Sequence, residues 1–164
     1  MNWIYIGEIV NTHGLKGEVR LLSDFEYKKE AFLLGNKVYI GKNKEEVTIK
    51  TYRVHKEYDM FTFENLNTID DVIIYKGEKA YMKKEELHVD GYYKEDIVGL
   101  SAFYQDKNIG TVTSIMKSKA HDILVITDGE KRNLIPYIPE FILKIDLEKK
   151  IININVVEGL LNEN

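Results

Sequence analysis

The chain has no cysteine, and that absence removes three kinds of chemistry at once: a disulfide framework, thiolate metal sites and a cysteine nucleophile. Only two prolines occur, Pro136 and Pro139, and only three arginines, Arg20, Arg53 and Arg132. No apolar run approaches the roughly 18 residues that a membrane-spanning helix needs. The first residues, Met1 to Glu8, lack the basic segment and apolar stretch of a secretory leader, so a cytoplasmic protein without a membrane partner is expected. The formal net charge over 164 residues is −4. A protein that grips nucleic acid by its overall field is normally basic, so any RNA contact must come from a local patch, or the main partner is a protein.

What is present describes a folded β protein. Hydrophobic residues make up 44% of the chain and charged residues 30%, enough apolar material for one ordinary domain or two small ones. Short runs rich in Val, Ile, Thr, Tyr and Phe recur about every dozen residues, separated by Gly, Asn and Asp. Strands are expected over Trp3–Val10, Glu18–Leu22, Lys37–Ile40, Val47–Val54 and Met60–Phe63, with Ala80–Met82 closing the first sheet. Asn67–Tyr75 is the best short helix, capped by Asn67 or Thr68 and carrying Asp70 and Asp71 in its first turn.

The texture changes at Lys83–Gly91, a polar stretch ending in glycine. It reads as a linker between two domains, or as a solvated loop within one. Beyond it, strands are expected over Ser101–Tyr104, Gly110–Met116, Ile123–Thr127 and Arg132–Ile135. Turns at Gln105–Ile109 and Asp128–Lys131 join them. Proline cannot donate to a ladder, so the chain leaves the sheet at Pro136 and Pro139. Phe141–Leu147 is expected to include a helical turn, and Ile151, Ile152, Ile154 and Val156 a last strand. The fold class is all-β, with minor short helices.

The sequence offers little catalytic chemistry. His13, His55, His88 and His121 have no zinc-like spacing, and no metal or cofactor is expected. There is no nucleophile elbow, P-loop or dinucleotide fingerprint. Carboxylates fall in runs such as Glu45-Glu46 and Glu85-Glu86, the pattern of solvated faces, although a dyad assembled by the fold stays open. An enzyme would need a convergent polar pocket for which no spacing provides.

Two features stand out. Gly14-Leu15-Lys16-Gly17 has β-type sequence on both sides, unlike the helix-joining GXXG loop of KH domains. It reads as a strand-to-strand turn formed by Gly14 and Gly17, with His13, Lys16 and Arg20 close enough to meet a phosphate backbone. Tyr92-Tyr93 is the other. Neighbouring tyrosines on an extended segment point in opposite directions, so the pair either packs the domains or presents an interface.

These residues carry a resemblance. Ile6 to Arg20, read as Ile-Gly-Glu-Ile-Val-Asn-Thr-His-Gly-Leu-Lys-Gly-Glu-Val-Arg, resembles the N-terminal signature of the ribosome maturation factor RimM family. Tyr92–Leu100, Asn108–Val112, Ala120–Val125, Leu134–Pro136, Ile145–Leu147 and Glu158–Leu161 are similar, in that order, to the family's PRC barrel. The segment Asp70–Gly77 keeps the family's closing glycine but not its Ala-Glu pair. The resemblance implies two small β-barrels in series, with an N-terminal six-stranded barrel over 1–83, a linker over 84–94 and a PRC barrel over 95–164. It implies a non-catalytic assembly factor that binds the head of the maturing 30S subunit and supports 16S rRNA processing. Small-subunit ribosomal protein S19 is the implied partner, bound through Tyr92 and Tyr93. Local 16S rRNA contact at His13, Lys16 and Arg20 and a monomeric state complete the expectation.

Overall fold

In the computed structural model, residues 2–155 are described. The expected continuation of the last strand through Val156, and the match at Glu158–Leu161, lie outside the described residues. The chain divides into two compact units, Met1–Asp90 and Gly91–Asn164.

Six strands form the first unit: β1 (Trp3–His13), β2 (Glu18–Leu22), β3 (Lys37–Ile40), β4 (Glu45–His55), β5 (Tyr58–Phe63) and β6 (Lys79–Lys83). They close into a barrel of order β1-β2-β5-β4-β3-β6. Closure depends on two long strands that each serve two neighbours. In β1, the first half pairs with β6 and the second with β2. In β4, the first half pairs with β3 and the second with β5. Each bends at irregular register, between Tyr5 and Gly7 and between Ile9 and Asn11 in β1, and between Ile49 and Thr51 in β4. Bulges of this kind sharpen local twist and turn a sheet's corner. Gly7 is required at its corner: a side chain there would place Cβ 2.5 Å from the Leu22 carbonyl oxygen.

The barrel is filled by alternate residues of each strand, including Ile4, Ile6, Val19, Leu21, Ile49 and Phe63, all buried. Between β2 and β3 lies a short helix that the sequence pattern does not announce, α1 (Lys28–Ala31). The Lys28 ammonium reaches Asp59 at 2.7 Å, and the Tyr52 hydroxyl donates to the same buried carboxylate. The charge of Asp59 is thereby paired and hydrogen-bonded, as burial demands. The helix expected over Asn67–Tyr75 is α2 (Ile69–Val72) continued by a 3₁₀ turn, Ile73–Tyr75. Its cap is Thr68, in a reciprocal capping box with Asp71.

The second unit opens with α3 (Lys94–Ile97), followed by β7 (Ser101–Tyr104), β8 (Lys107–Met116), β9 (Ile123–Asp128), β10 (Lys131–Pro136), β11 (Ile142–Asp146) and β12 (Ile151–Ile154). The ladder runs β10-β9-β8-β7-β12-β11, with β12 parallel to β7 and the other pairs antiparallel. Its core gathers Ile97, Val112, Leu124, Ile126, Ile135 and Ile152.

Besides the unannounced helices α1 and α3, two strands differ from expectation. The stretch 142–146 is a strand paired with β12, not a helical turn, and its register shifts between Ile142 and Lys144, which breaks the alternation that marks a strand. The β7–β8 turn is only Gln105-Asp106, both at positive φ (49° and 63°), so β8 resumes at Lys107 rather than Gly110. Two consecutive positive φ values match the twist of a tight hairpin.

Candidate nucleic-acid interface

The candidate site lies on the outer wall of the first barrel, where β1, β2, β5 and β4 run side by side. Antiparallel partners point to the same side of a sheet. His13 pairs with Glu18, Arg20 with Met60, Arg53 with Met60, and His55 with Tyr58. The intervening pair Val19 and Phe61 is buried in the barrel, so this set faces outward. Two of the chain's three arginines and two of its four histidines therefore share one wall. Met60, flanked in register by both arginines, has no exposed surface. Arginine stems provide cover of this sort while their guanidinium heads stay in water.

The polar contacts are specific. An Arg20 NH2 group donates to His13 Nδ1 at 2.7 Å. An arginine has no acceptor to offer, so His13 accepts at Nδ1 and carries its proton on Nε2. The Arg20 guanidinium also stands 5.9 Å from the centre of the Tyr58 ring, and its Nε is buried without a hydrogen-bond partner among the described residues. The His13 and His55 rings face each other at 5.7 Å. Arg53 holds Glu18 through two hydrogen bonds of 2.9 and 2.8 Å. Those bonds push the Glu18 carboxyl below its ordinary range, with the Arg53, His13 and His55 fields adding to the shift. His55 is also pushed down, first by desolvation and then by Arg53, Lys56, His13 and Arg20.

The turn that begins this wall is built by glycine. Gly14 and Gly17 have φ of 68° and 85°, in the left-handed region. Gly17 also packs closely: an added Cβ would stand 2.5 Å from the Leu66 carbonyl oxygen, whereas nothing lies within 4 Å of Gly14. The Ile69 amide donates to the Leu15 carbonyl at 3.0 Å, tying the turn to α2. Leu15 projects from the turn, 75% exposed. It borders a shallow cavity of about 490 Å³ lined by His13, Gly14, Leu15, Lys16, Glu18 and Thr62.

The structure thus brings His13 and Arg20 into direct contact and sets Lys16 on the adjoining turn. Arg53, His55 and Tyr58 complete the wall and were missed from sequence. They are more than thirty residues from Arg20, and only strand pairing unites them. No local spacing in the sequence marks them.

Tyr92 and Tyr93 lie in the second unit and differ sharply from each other. Tyr93 is buried, whereas Tyr92 is 40% exposed and its hydroxyl donates to the Ile145 carbonyl at 3.4 Å. Lys94, at the start of α3, pairs with Asp122 at 3.1 Å. Among the described residues, no three His, Asp or Glu side chains gather as a metal site would require, and no helix is long and apolar enough to cross a membrane.

The fold and this wall define a class: a protein of two β domains in series, the first a closed barrel with a basic outer wall. The RimM N-terminal domain model matches residues 4–87, and the RimM PRC barrel domain model matches residues 94–160. The chain belongs to the ribosome maturation factor RimM family. It is 40% identical to the ribosome maturation factor RimM of Staphylococcus haemolyticus over 166 residues, covering 97% of this chain and 99% of that one. Against the factor of the same name from Bacillus cereus it is 36% identical over 168 residues, covering 97% and 98%. The N-terminal domain of RimM from Thermus thermophilus aligns with 54% of this chain and 98% of its own, at 16% identity and a TM-score of 0.47.

Proposed function

We propose that the protein acts in ribosome assembly as a non-catalytic factor that binds the head of the maturing 30S subunit and promotes 16S rRNA processing. The observation that carries this reading is the match of both domains, in order and at nearly full length, to ribosome maturation factors. A binding factor stabilises a folding intermediate of its target only by its differential affinity for that state. No covalent step is needed, which suits a protein whose recognisable features are surfaces.

The two domains divide the recognition. Ribosomal protein S19 docks at the segment containing Tyr92 and Tyr93, the exposed tyrosine making contact and the buried one anchoring the chain beneath it. The net charge of −4 favours encounter with a basic ribosomal protein. His13, Lys16 and Arg20 make a local 16S rRNA contact. Arg20 and Lys16 suit that role because neither is paired with a carboxylate among the described residues, whereas Arg53 is neutralised by Glu18. The factor works as a monomer in the cytoplasm.

A pull-down from cell extract at low and high salt tests this division. RNA contacts lose affinity steeply as salt rises. The expected result is small-subunit rRNA and protein together at low salt, with S19 retained at high salt. Recovery of neither, with the folded protein as bait, would sink the reading.

A further inference from the structure

The opposite side of the first barrel carries a second cluster. On β1, β6 and β3, Trp3 pairs with Lys83, and Tyr81 pairs with both Tyr5 and Tyr39. The alternate residues Ile4, Ile6, Ala80 and Met82 are buried in the barrel, so Tyr5, Trp3, Tyr81 and Lys83 face the outer wall, Tyr5 exposed and Trp3 and Tyr81 half-buried, while Tyr39 is itself buried. Trp3 meets Tyr39 edge-on at 4.9 Å between ring centres, and Tyr5 meets Tyr81 likewise at 5.8 Å. Two ammonium groups stand over the rings. Lys83 is 4.7 Å from the Tyr39 centre and 5.6 Å from Trp3, and Lys44, in the β3–β4 turn, is 4.3 Å from Tyr81 and 5.7 Å from Trp3.

Neither lysine has a carboxylate partner among the described residues. Of the carboxylates around this face, Glu46 pairs with Lys37 at 3.7 Å and Glu86 accepts the Tyr39 hydroxyl at 2.8 Å, while Glu8 and Asp24 act on Tyr5 and Glu85 on Tyr39 without pairing with either lysine. Cation–π contacts of this kind stabilise the barrel modestly. Structural packing does not, however, call for two unpaired ammonium groups bracketing the chain's single indole, with Tyr5 44% exposed beside it. Exposed rings on a β-barrel wall with interleaved cations are how proteins hold unpaired nucleotides: bases stack on the rings while the cations follow the phosphates.

We propose that this wall binds single-stranded RNA, with a base stacked on Trp3 or Tyr81 and the adjoining phosphates held by Lys44 and Lys83. The choice of RNA as the polyanion rests on the ribosomal reading above. The site is separate from the Arg20 wall, with only β1 common to both. The barrel therefore grips RNA on two sides.

Because Trp3 is the only tryptophan, its fluorescence reports this site alone. The full-length protein is titrated with a mixed-sequence single-stranded oligoribonucleotide of roughly 12 nucleotides, within the span such barrels cover. Saturable quenching that weakens with salt is expected. Lys44→Ala plus Lys83→Ala should weaken it about tenfold and Tyr81→Leu by a similar factor, each variant first shown by thermal melting to be folded. Arg132→Gln, on β10 of the second unit and in neither wall, should leave the quenching within about twofold. The proposal is overturned if the oligonucleotide binds without altering Trp3 emission, if folded variants bind as tightly, or if poly-glutamate quenches equally, which would mark a protein site. Co-sedimentation with small subunits, measured on the same samples, separates the two readings. Intact co-sedimentation without quenching sinks this site alone. Quenching without co-sedimentation sinks the ribosomal assignment and leaves the RNA site standing.

Discussion

Arg20 donates a 2.7 Å hydrogen bond to Nδ1 of His13, across a wall that also holds the second arginine of the barrel. The bond holds the guanidinium beside His13, and no carboxylate among the described residues pairs with its charge. Arg20→Gln should therefore weaken small-subunit binding and lower the slope of log affinity against log salt by about 1, as expected for one lost phosphate contact. Binding measured at several salt concentrations checks this. An unchanged slope would place Arg20 outside the interface.

Glu18 neutralises Arg53, so Glu18→Gln should release that guanidinium and raise subunit affinity. The same substitution bears on acid stability. The Glu18 carboxyl is held below its ordinary value in the folded protein, so its contribution is present above the unfolded value and is lost as pH falls through the folded one. The melting-temperature gap between wild type and Glu18→Gln should be open at pH 7 and close under acid, below pH 4.5. A gap independent of pH would contradict the assignment.

His55 behaves differently because it loses, rather than gains, proton affinity on folding. The unfolded chain takes up this proton first as pH drops below about 6.5, the ordinary histidine value. Stability is then lost on acidification. Replacing His55 with Gln should flatten the melting-temperature profile just below that pH, and no change in its slope would argue against a depressed value.

The two turn glycines should separate conformational strain from crowding. Gly14→Ala meets open space and faces only the left-handed penalty, about 1 kcal/mol. Gly17→Ala adds a collision with the Leu66 carbonyl and should cost about 2–5 kcal/mol. Denaturant unfolding of both variants is the check, and equal losses would refute the close packing at Gly17.

For the tyrosine pair, burial predicts a division of labour. Tyr93→Ala removes a buried aromatic side chain and should destabilise by about 3 kcal/mol or more. Tyr92→Ala, at an exposed position, should cost under about 1 kcal/mol yet weaken S19 binding. Calorimetry on the isolated pair of proteins would distinguish them. Full S19 affinity in folded Tyr92→Ala would remove that tyrosine from the interface.

Most strands were legible because β-branched and aromatic runs end at glycine or polar turns, and α2 because Thr68 and Asp71 form a capping box. What escaped had local causes. The register shift at Ile142–Lys144 hid β11, and α1 has no side-chain cap to mark its start. The candidate wall was legible only where it is local: His13, Lys16 and Arg20 lie within eight residues. Arg53 and His55 joined them through the β2-β5-β4 pairing, and Lys44 reached Trp3 and Tyr81 through barrel closure. Such distant pairings are set by the whole barrel rather than by any window of sequence.

The central claim, a factor that binds assembling small subunits, is tested most directly by sedimenting extracts of growing cells and locating the protein across the gradient. It should travel with immature small subunits, and cells lacking it should accumulate unprocessed 16S rRNA precursor. Its presence only in the free pool, with normal rRNA processing in its absence, would contradict the account.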